Sequence, residues 1–166
     1  MNRILGVDPG LAQTGWGIIE ARGNTVCHVA HDTIYTPAGM DTGKRLSIVF
    51  EELEKIIQEY RPDKAAIERI FFAKNRSSAI PVAQALGIIL LVLSRNNIAA
   101  FEYPPQEIKK AITGQGRAEK QQVQDLVRLV LGMKGVPKTD HAADALAAAV
   151  CCHALSTFQA AFGGGE

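Results

Sequence analysis

The sequence predicts an α/β fold in which helices cover a five-stranded mixed sheet. Two observations lead to this fold class. Three apolar segments within residues 3–36 are separated only by short turns, as is typical of antiparallel strands. Two further apolar segments then alternate with stretches of helical periodicity, as is typical of parallel strands joined by helices. We therefore expect three antiparallel strands followed by two parallel ones.

Turn-forming residues bound the first three strands. The first strand is predicted over residues 3–7 and ends at Asp8-Pro9-Gly10. The second is predicted over 14–20, and Arg22-Gly23-Asn24 then turns the chain into a third strand over 25–36. This arrangement predicts an antiparallel meander at the start of the chain.

Apolar residues recur at helical spacing after a predicted loop at 37–43. They predict a first helix over residues 44–60, which Arg61-Pro62-Asp63 ends. A short strand over 64–68 follows, and then a loop over 70–76 that carries two aromatic and two basic residues.

A long apolar helix is predicted to follow that loop and to reach Asn96. Ser77 or Ser78 can cap it, and Pro81 falls near its first turn, where proline is tolerated. Its apolar residues lie on all sides, so we expect burial on most of its surface, in part against a second subunit.

The last third of the chain is predicted to be mainly helical. Its predicted segments are a strand over 98–103, a short helix containing Lys109 and Lys110, and helices over 118–131 and 140–158. Glycine-containing breaks at 114–116 and 135–137 separate the helices. We expect residues 1–158 to form one domain and residues 159–166 to be a disordered tail.

Composition places limits on the class of protein. The chain has 166 residues, of which 47% are hydrophobic and 21% are charged, as in ordinary globular domains. Three cysteines, two of them adjacent at Cys151 and Cys152, predict reduced thiols rather than a disulfide. No segment is typical of a signal peptide or a membrane span. We expect a soluble cytoplasmic protein with no membrane association.

Charge is distributed unevenly along the chain. Residues 64–120 hold 9 basic and 4 acidic residues, although the net charge of the whole chain is only +1. A basic middle third is typical of a surface that contacts a polyanion, and chance clustering on a solvated surface is the alternative.

Acidic residues stand where predicted strands and helices end or begin. Asp8 and Glu68 each follow an apolar strand, and Asp144 lies on an otherwise apolar helix. Taken singly, Asp8 could belong only to a turn, Glu68 could pair with Arg69 or Lys64 at the surface, and Asp140 could be an N-cap.

Together these residues predict a metal site. His141 and Asp144 are three residues apart and share one helix face, and Asp8 and Glu68 can lie side by side at neighbouring strand ends. Carboxylates with one imidazole suit a hard divalent cation. Two ions about 4 Å apart would support phosphodiester cleavage. Asp140 competes with His141 as the fourth ligand, and we favour His141.

Four segments, spread over about residues 3–155, resemble in order and spacing the defining segments of one enzyme family. It is the RuvC family of bacterial crossover junction endodeoxyribonucleases, which belongs to the ribonuclease H-like superfamily. The four segments are ILGVDPGLAQTGWGII, AAIERIFFAKN, EYPPQEIKKAITGQGRAEKQQVQ and HAADALAAAV.

The resemblance implies a site, a cofactor and partners. Asp8, Glu68, His141 and Asp144 match the family's catalytic, metal-binding positions, and the position of His141 is Asp in other members. Members of the family use Mg²⁺ or Mn²⁺ and act as homodimers, so the resemblance implies the same for this chain. It nicks two opposed strands of a four-way (Holliday) junction, and an association with the RuvA–RuvB branch-migration complex is implied.

Basic and aromatic residues predict a DNA-binding surface around this site. Lys109 and Lys120 match basic positions near the family's active site, and a lysine there offsets charge on the phosphate. Adjacent aromatics at Phe71 and Phe72 suit stacking on bases of an opened junction, with burial in a core or dimer interface as the alternative. The predicted DNA-binding residues are Phe71, Phe72, Lys74, Arg76, Lys109, Lys110, Arg117 and Lys120, and Lys120 is also a predicted catalytic residue.

Three other functions are compatible with parts of the sequence. VDPGLAQTGWGII would suit the phosphate loop of an actin-like ATPase, but the chain has no repeat to supply the second domain. A ribonuclease H-like enzyme acting on structured RNA is a nearer alternative. A non-catalytic DNA-binding module is the third, and the intact acidic positions argue against it.

Overall fold

The computed structural model describes residues 2–69 and 76–162, without the side chains of 76–78 and 159–162. The strands are β1 (Asn2–Asp8), β2 (Gln13–Arg22), β3 (Thr25–Tyr35), β4 (Lys64–Glu68) and β5 (Ala99–Tyr103). The helices are α1 (Thr42–Tyr60), α2 (Arg76–Arg95), α3 (Pro105–Thr113), α4 (Lys120–Val130) and α5 (Asp140–Phe162).

The strands form the predicted mixed sheet, in the order β3-β2-β1-β4-β5. β1 pairs antiparallel with β2 and parallel with β4, while β4 pairs parallel with β5. The prediction of three antiparallel strands followed by two parallel ones is therefore confirmed. Because β1 and β4 are parallel neighbours with Val7 opposite Ile67, their last residues lie at the same edge of the sheet.

Side-chain alternation along the strands divides the core between the two faces of the sheet. Ile4 and Ile19 pack with Leu146 on the face covered by α3, α4 and α5. Leu5 and Ile18 pack on the other face, which α1 and α2 cover. The sheet is thus a middle layer between two helical layers.

Glycines let α5 pack closely against β1 and β2. A Cβ atom at Gly6 would overlap the carbonyl group of Ala145, and one at Gly15 would overlap that of His141. A Cβ atom at Gly17 would overlap the side chain of Leu146. These three positions therefore set the distance between the sheet and the helix that carries His141.

Several boundaries differ from the predicted ones. α1 begins two residues early, at Thr42, because the Asp41 side chain accepts a hydrogen bond from the Lys44 amide at 3.3 Å. α4 begins at Lys120 rather than at 118, since Glu119 is extended and acts as its N-cap residue. α5 continues to Phe162, four residues beyond the predicted end.

The start of α2 also differs from the prediction. The helix begins at Arg76, which was predicted to lie in a loop, so Pro81 is the sixth residue and lies inside the helix. Within this chain its burial is incomplete, because Ile80 and Leu91 remain 67% and 49% exposed. One side of α2 packs on the sheet and on α1, and the other side is open in this chain.

Two further observations bear on the composition. The three cysteines are free, as predicted. In the described part of the chain, none of the helices combines the length and the hydropathy that crossing a membrane requires.

Candidate active site

Three carboxylates converge where β1, β4 and α5 meet. Asp8 is the last residue of β1, Glu68 is the last residue of β4, and Asp144 lies on the second turn of α5. One oxygen from each carboxylate lies within 4.8 Å of the others. We call these three residues the acidic cluster. Among the described ion pairs Glu68 pairs with neither Arg69 nor Lys64, and the Lys64 ammonium donates to Ser156 Oγ at 2.8 Å instead.

Burial and mutual repulsion destabilise the fully ionised form of the acidic cluster. Burial, followed by the negative charges of Asp8 and Asp144, raises the pKa of Glu68 to about 7. Burial likewise raises the pKa of Asp144, although the Lys120 ammonium opposes that shift. The cluster therefore holds more negative charge than its neighbours neutralise. A surplus of buried carboxylate oxygens fits a hard divalent cation.

His141 contacts the cluster through Asp8. Its Nδ1 atom lies 2.6 Å from Asp8 Oδ2, and this hydrogen bond raises the pKa of the imidazole. His141 does not belong to the group of ligand atoms that lie within 4.8 Å of one another in the described residues. Its placement makes it a neighbour of the cluster that orients Asp8 and presents Nε2 on the other side of the ring.

Asp140 faces away from Asp8 and towards α4. Its Oδ2 lies 3.2 Å from the Lys120 ammonium, and its Oδ1 accepts a hydrogen bond from the Gln124 side chain at 3.0 Å. These contacts, with Gln124 first and Lys120 second, lower the pKa of Asp140. Of the two competing residues, His141 is thus the one in contact with the acidic cluster.

Lys120 links the acidic cluster to α4. Its ammonium group lies 3.1 Å from Asp144 Oδ2 as well as beside Asp140. Burial opposes its charge, but the bonds to Asp144 and Asp140 outweigh that effect and raise its pKa. Lys120 is therefore a cation held at the margin of the site.

A cleft of about 220 Å³ opens beside the cluster and is lined by Glu68, Asp144, Lys109 and Lys120 among others. We call it the lysine cleft. Lys110 and Arg117 are exposed, on α3 and in the turn that follows it, and neither lines this cleft. Phe71, Phe72 and Lys74 lie outside the described residues, and Arg76 is described only as the first residue of α2.

Sequence reasoning missed two residues that support the site. Thr139, rather than Asp140, caps α5, because its Oγ1 accepts from the Ala142 amide at 3.2 Å. The same oxygen lies 2.6 Å from Thr33 Oγ1, which fixes the start of α5 to β3. A threonine just before an apolar helix is a recognised N-cap signal. Gln124 is four residues after Lys120, a spacing that places both on one helix face.

The mixed sheet and the acidic cluster at the carboxyl ends of β1 and β4 define the class as a ribonuclease H-like, metal-dependent nuclease. The sequence profile of one family in this class, crossover junction endodeoxyribonuclease RuvC, matches residues 4–153. The chain therefore belongs to the RuvC family.

Individual relatives agree with this assignment. The crossover junction endodeoxyribonuclease RuvC of Heliobacterium modesticaldum is 47% identical over 92% of this chain and 95% of its own. The crossover junction endodeoxyribonuclease RuvC of Thermotoga maritima is also 47% identical, over 93% of this chain and 92% of its own. The structure of T. thermophilus RuvC in complex with a Holliday junction substrate superposes with a TM-score of 0.91 at 27% identity, covering 95% of this chain and 96% of that one.

Proposed function

We propose that this protein resolves four-way DNA junctions by nicking two opposed strands symmetrically, in recombination and DNA repair. The observation that carries the proposal is the acidic cluster with Lys120 at its margin, on a fold that matches a RuvC bound to a Holliday junction. Residues 1–158 act as one nuclease domain in this proposal.

The acidic cluster is proposed to hold Mg²⁺, with Mn²⁺ as a substitute, and two ions in each site. Asp8, Glu68 and Asp144 supply oxygen ligands, and the raised pKa of Glu68 fits a site in which a cation relieves the repulsion. Ions held by these carboxylates would supply activation of a water molecule and stabilisation of the leaving oxygen.

His141 is proposed to complete the metal site in preference to Asp140. The imidazole is hydrogen-bonded to Asp8, whereas the Asp140 carboxylate is engaged by Lys120 and Gln124. A histidine that holds a carboxylate ligand through one nitrogen fixes the orientation of that ligand.

Lys120 is proposed to be catalytic and Lys109 to bind DNA, since both line the lysine cleft beside Glu68 and Asp144. An ammonium group at this point offsets negative charge as it develops on the phosphate. In the reaction, the attacking water loses a proton as its oxygen bonds to phosphorus, and the bond to the 3′ oxygen breaks as that oxygen takes up a proton. The products are a 5′-phosphate and a 3′-hydroxyl, which a ligase can seal.

Further DNA contacts are proposed around the cleft. Lys110 and Arg117 are exposed. They lie in the same stretch of sequence as Lys109 and Lys120, between the end of β5 and the first residue of α4. Phe71 and Phe72 are proposed to stack on bases at the junction, with Phe71 as the main stacking residue, and Lys74 and Arg76 to contact phosphates.

A homodimer would place two such sites on one junction. The open side of α2, where Ile80 and Leu91 are exposed, supports this proposal, because exposed apolar side chains favour association. A monomer at micromolar concentration in analytical ultracentrifugation would contradict it.

Family membership also supports association with the RuvA–RuvB branch-migration complex. We place the reaction in the cytoplasm, and the three free cysteines fit a reducing compartment.

One cleavage experiment tests the proposed function. A mobile four-way junction, a linear duplex of the same sequence and a structured RNA are incubated with the protein in Mg²⁺ or in Mn²⁺. We expect nicking of the junction, little cleavage of the other two substrates, and no ATP binding or hydrolysis. Preferential cleavage of the RNA would favour the related RNA nucleases instead, and binding without cleavage in either metal would favour a non-catalytic module.

A further inference from the structure

A second cleft, which shares no lining residue with the lysine cleft, lies next to His141 and the segment that follows Asp8. It has a volume of about 430 Å³, and its lining includes Pro9, Gly10, Arg45, Pro81 and His141. We call it the arginine cleft. Asp8 joins the two clefts, because it precedes Pro9 in the chain, contacts His141, and belongs to the cluster whose other members line the lysine cleft.

Arg45 is held in this cleft by a defined hydrogen bond. Its Nε donates to Thr36 Oγ1 at 2.8 Å. The single hydroxyl proton of Thr36 is donated to the Leu11 carbonyl, so a lone pair of the hydroxyl is left to accept from Arg45. Thr36 is buried, and its amide is bonded to Ala12. The guanidinium is therefore fixed to the segment that forms the wall of the cleft.

The rest of the guanidinium has no acidic partner among the described ion pairs. Its four terminal N–H groups form a planar fork that matches the geometry of a phosphate. By contrast, Arg3 and Arg22 both pair with Glu20. Within the described residues this partly buried arginine is anchored in the cleft through Nε, so it is suited to bind an anion from outside the chain.

We propose that Arg45 binds a backbone phosphodiester of the cleaved DNA strand, on the side of the scissile phosphate opposite to Lys109. This rests on the proposed function. With the scissile phosphate at the acidic cluster, a strand that enters the lysine cleft leaves through the arginine cleft. One cation on each side then holds the strand across the carboxylates.

The variant Arg45→Gln tests this proposal, because glutamine keeps a side-chain donor for Thr36 and removes the charge. The matched control is Lys44→Gln, which removes one positive charge from the neighbouring, exposed residue of α1 that does not line the cleft. Junction binding is measured without divalent metal over a range of salt concentrations. We expect Arg45→Gln to bind about tenfold more weakly and to lower the slope of log K against log salt by about 0.7–0.9, while Lys44→Gln changes neither.

Single methylphosphonates, which remove the charge of one phosphate, locate the contact. In the unaltered protein, we expect weaker binding when the neutral linkage lies one or two steps from the nick on either side. Arg45→Gln should lose this sensitivity on one side only, and Lys109→Gln on the other. The scan of the unaltered protein needs no Arg45 variant, so it tests the proposal even if Arg45→Gln unfolds.

Three results would overturn the assignment of Arg45. The first is an unchanged salt slope in Arg45→Gln. The second is that, in the unaltered protein, neutral linkages weaken binding on just one side of the nick. The third is loss of sensitivity on the same side in both variants. If the unaltered protein cuts junctions and any of these holds, only the role of Arg45 fails, whereas a protein that does not bind junctions overturns the proposed function as well.

Discussion

His141 Nδ1 lies 2.6 Å from Asp8 Oδ2, which joins the helix that closes the site to the first strand of the sheet. These residues are 133 positions apart in the chain. The contact depends on Gly15, whose missing side chain lets the backbone of His141 approach β2. The geometry of the acidic cluster is therefore a consequence of how closely α5 packs on the sheet.

Replacing Asp8 by asparagine should separate binding from cleavage. The amide keeps the size of the side chain but removes a charged ligand of the acidic cluster. We expect Asp8→Asn to bind four-way junctions about as tightly as the unaltered protein and to leave them uncut. A gel-shift titration and a cleavage time course measure the two properties, and Glu51→Gln, an exposed position on α1, is the control. Cleavage by Asp8→Asn at the normal rate would contradict the role given to this carboxylate.

The raised pKa of Glu68 makes the stability of the metal-free protein depend on pH. Its pKa is raised from 4.5 to about 7, so folding favours the protonated form. The contribution of Glu68 to the free energy of unfolding is therefore fully present below its unfolded pKa of 4.5. This contribution is lost as the pH rises through its folded pKa of about 7. The loss amounts to about 3 kcal/mol for a shift of this size.

Glu68→Gln should remove most of this dependence. Urea unfolding in EDTA at pH 5 and pH 8 measures the free energy of unfolding for both proteins. We expect the variant to be the more stable at pH 8, and the two proteins to be similar at pH 5. An equal loss of stability in both proteins between these pH values would show that Glu68 is not its source.

Metal binding should distinguish His141 from Asp140. We expect His141→Ala to weaken Mn²⁺ binding about tenfold, because Asp8 loses the group that orients it. Asp140→Asn should change the affinity less than about threefold, since its carboxylate contacts Lys120 and Gln124 instead. Isothermal calorimetry of the DNA-free protein gives both values, and the opposite ranking would make Asp140 the fourth ligand.

Removing the Lys120 ammonium should slow cleavage more than it weakens binding. We expect Lys120→Ala to lower the single-turnover rate about tenfold to hundredfold, because the lysine cleft loses a cation next to Asp144. Lys55→Ala removes an exposed lysine that pairs with Glu52 at 2.6 Å and should leave the rate unchanged. An unaltered rate in Lys120→Ala would limit its role to the ion pairs seen in the structure.

Gly15→Ala tests how far the site depends on close packing. The added methyl group would overlap the carbonyl of His141, so α5 must shift, at a cost of about 1–3 kcal/mol. Gly135→Ala is the control, because its Cβ would meet no atom within 4 Å. Thermal unfolding should show a lower midpoint for Gly15→Ala alone. Equal midpoints would contradict the packing argument.

Much of the site could be predicted because strand ends are recognisable in the sequence. Apolar runs that end at Asp8 and Glu68 indicated carboxylates at two strand ends, and the parallel pairing of β1 with β4 places both at one edge of the sheet. The choice between Asp140 and His141 was harder, since adjacent residues on a helix differ by about 100° in direction and a small rotation exchanges them. The contacts of Asp140 with Lys120 and Gln124 favour His141, and those contacts depend on how α4 packs.

The features that sequence reasoning missed depend on packing between distant segments. Ser77 or Ser78 was predicted to cap α2, with Pro81 near the first turn, but the helix begins at Arg76 and accommodates Pro81 in its interior. The apolar composition of α2 indicated burial on most sides but not which neighbour covers each side, and within this chain Ile80 and Leu91 stay exposed. The anchoring of Arg45 by Thr36 joins residues on either side of a loop, and no periodic pattern marks it.

The central claim is symmetric, metal-dependent nicking of a four-way junction, and mapping the cleavage positions tests it most directly. A junction labelled in turn at each of its four strands is cut in Mg²⁺, and the products are sized at nucleotide resolution. We predict nicks at equivalent positions in two opposed strands, 5′-phosphate ends that ligase seals, and no cutting by Asp8→Asn. Nicks in adjacent strands, or equal cutting of a linear duplex, would contradict this account.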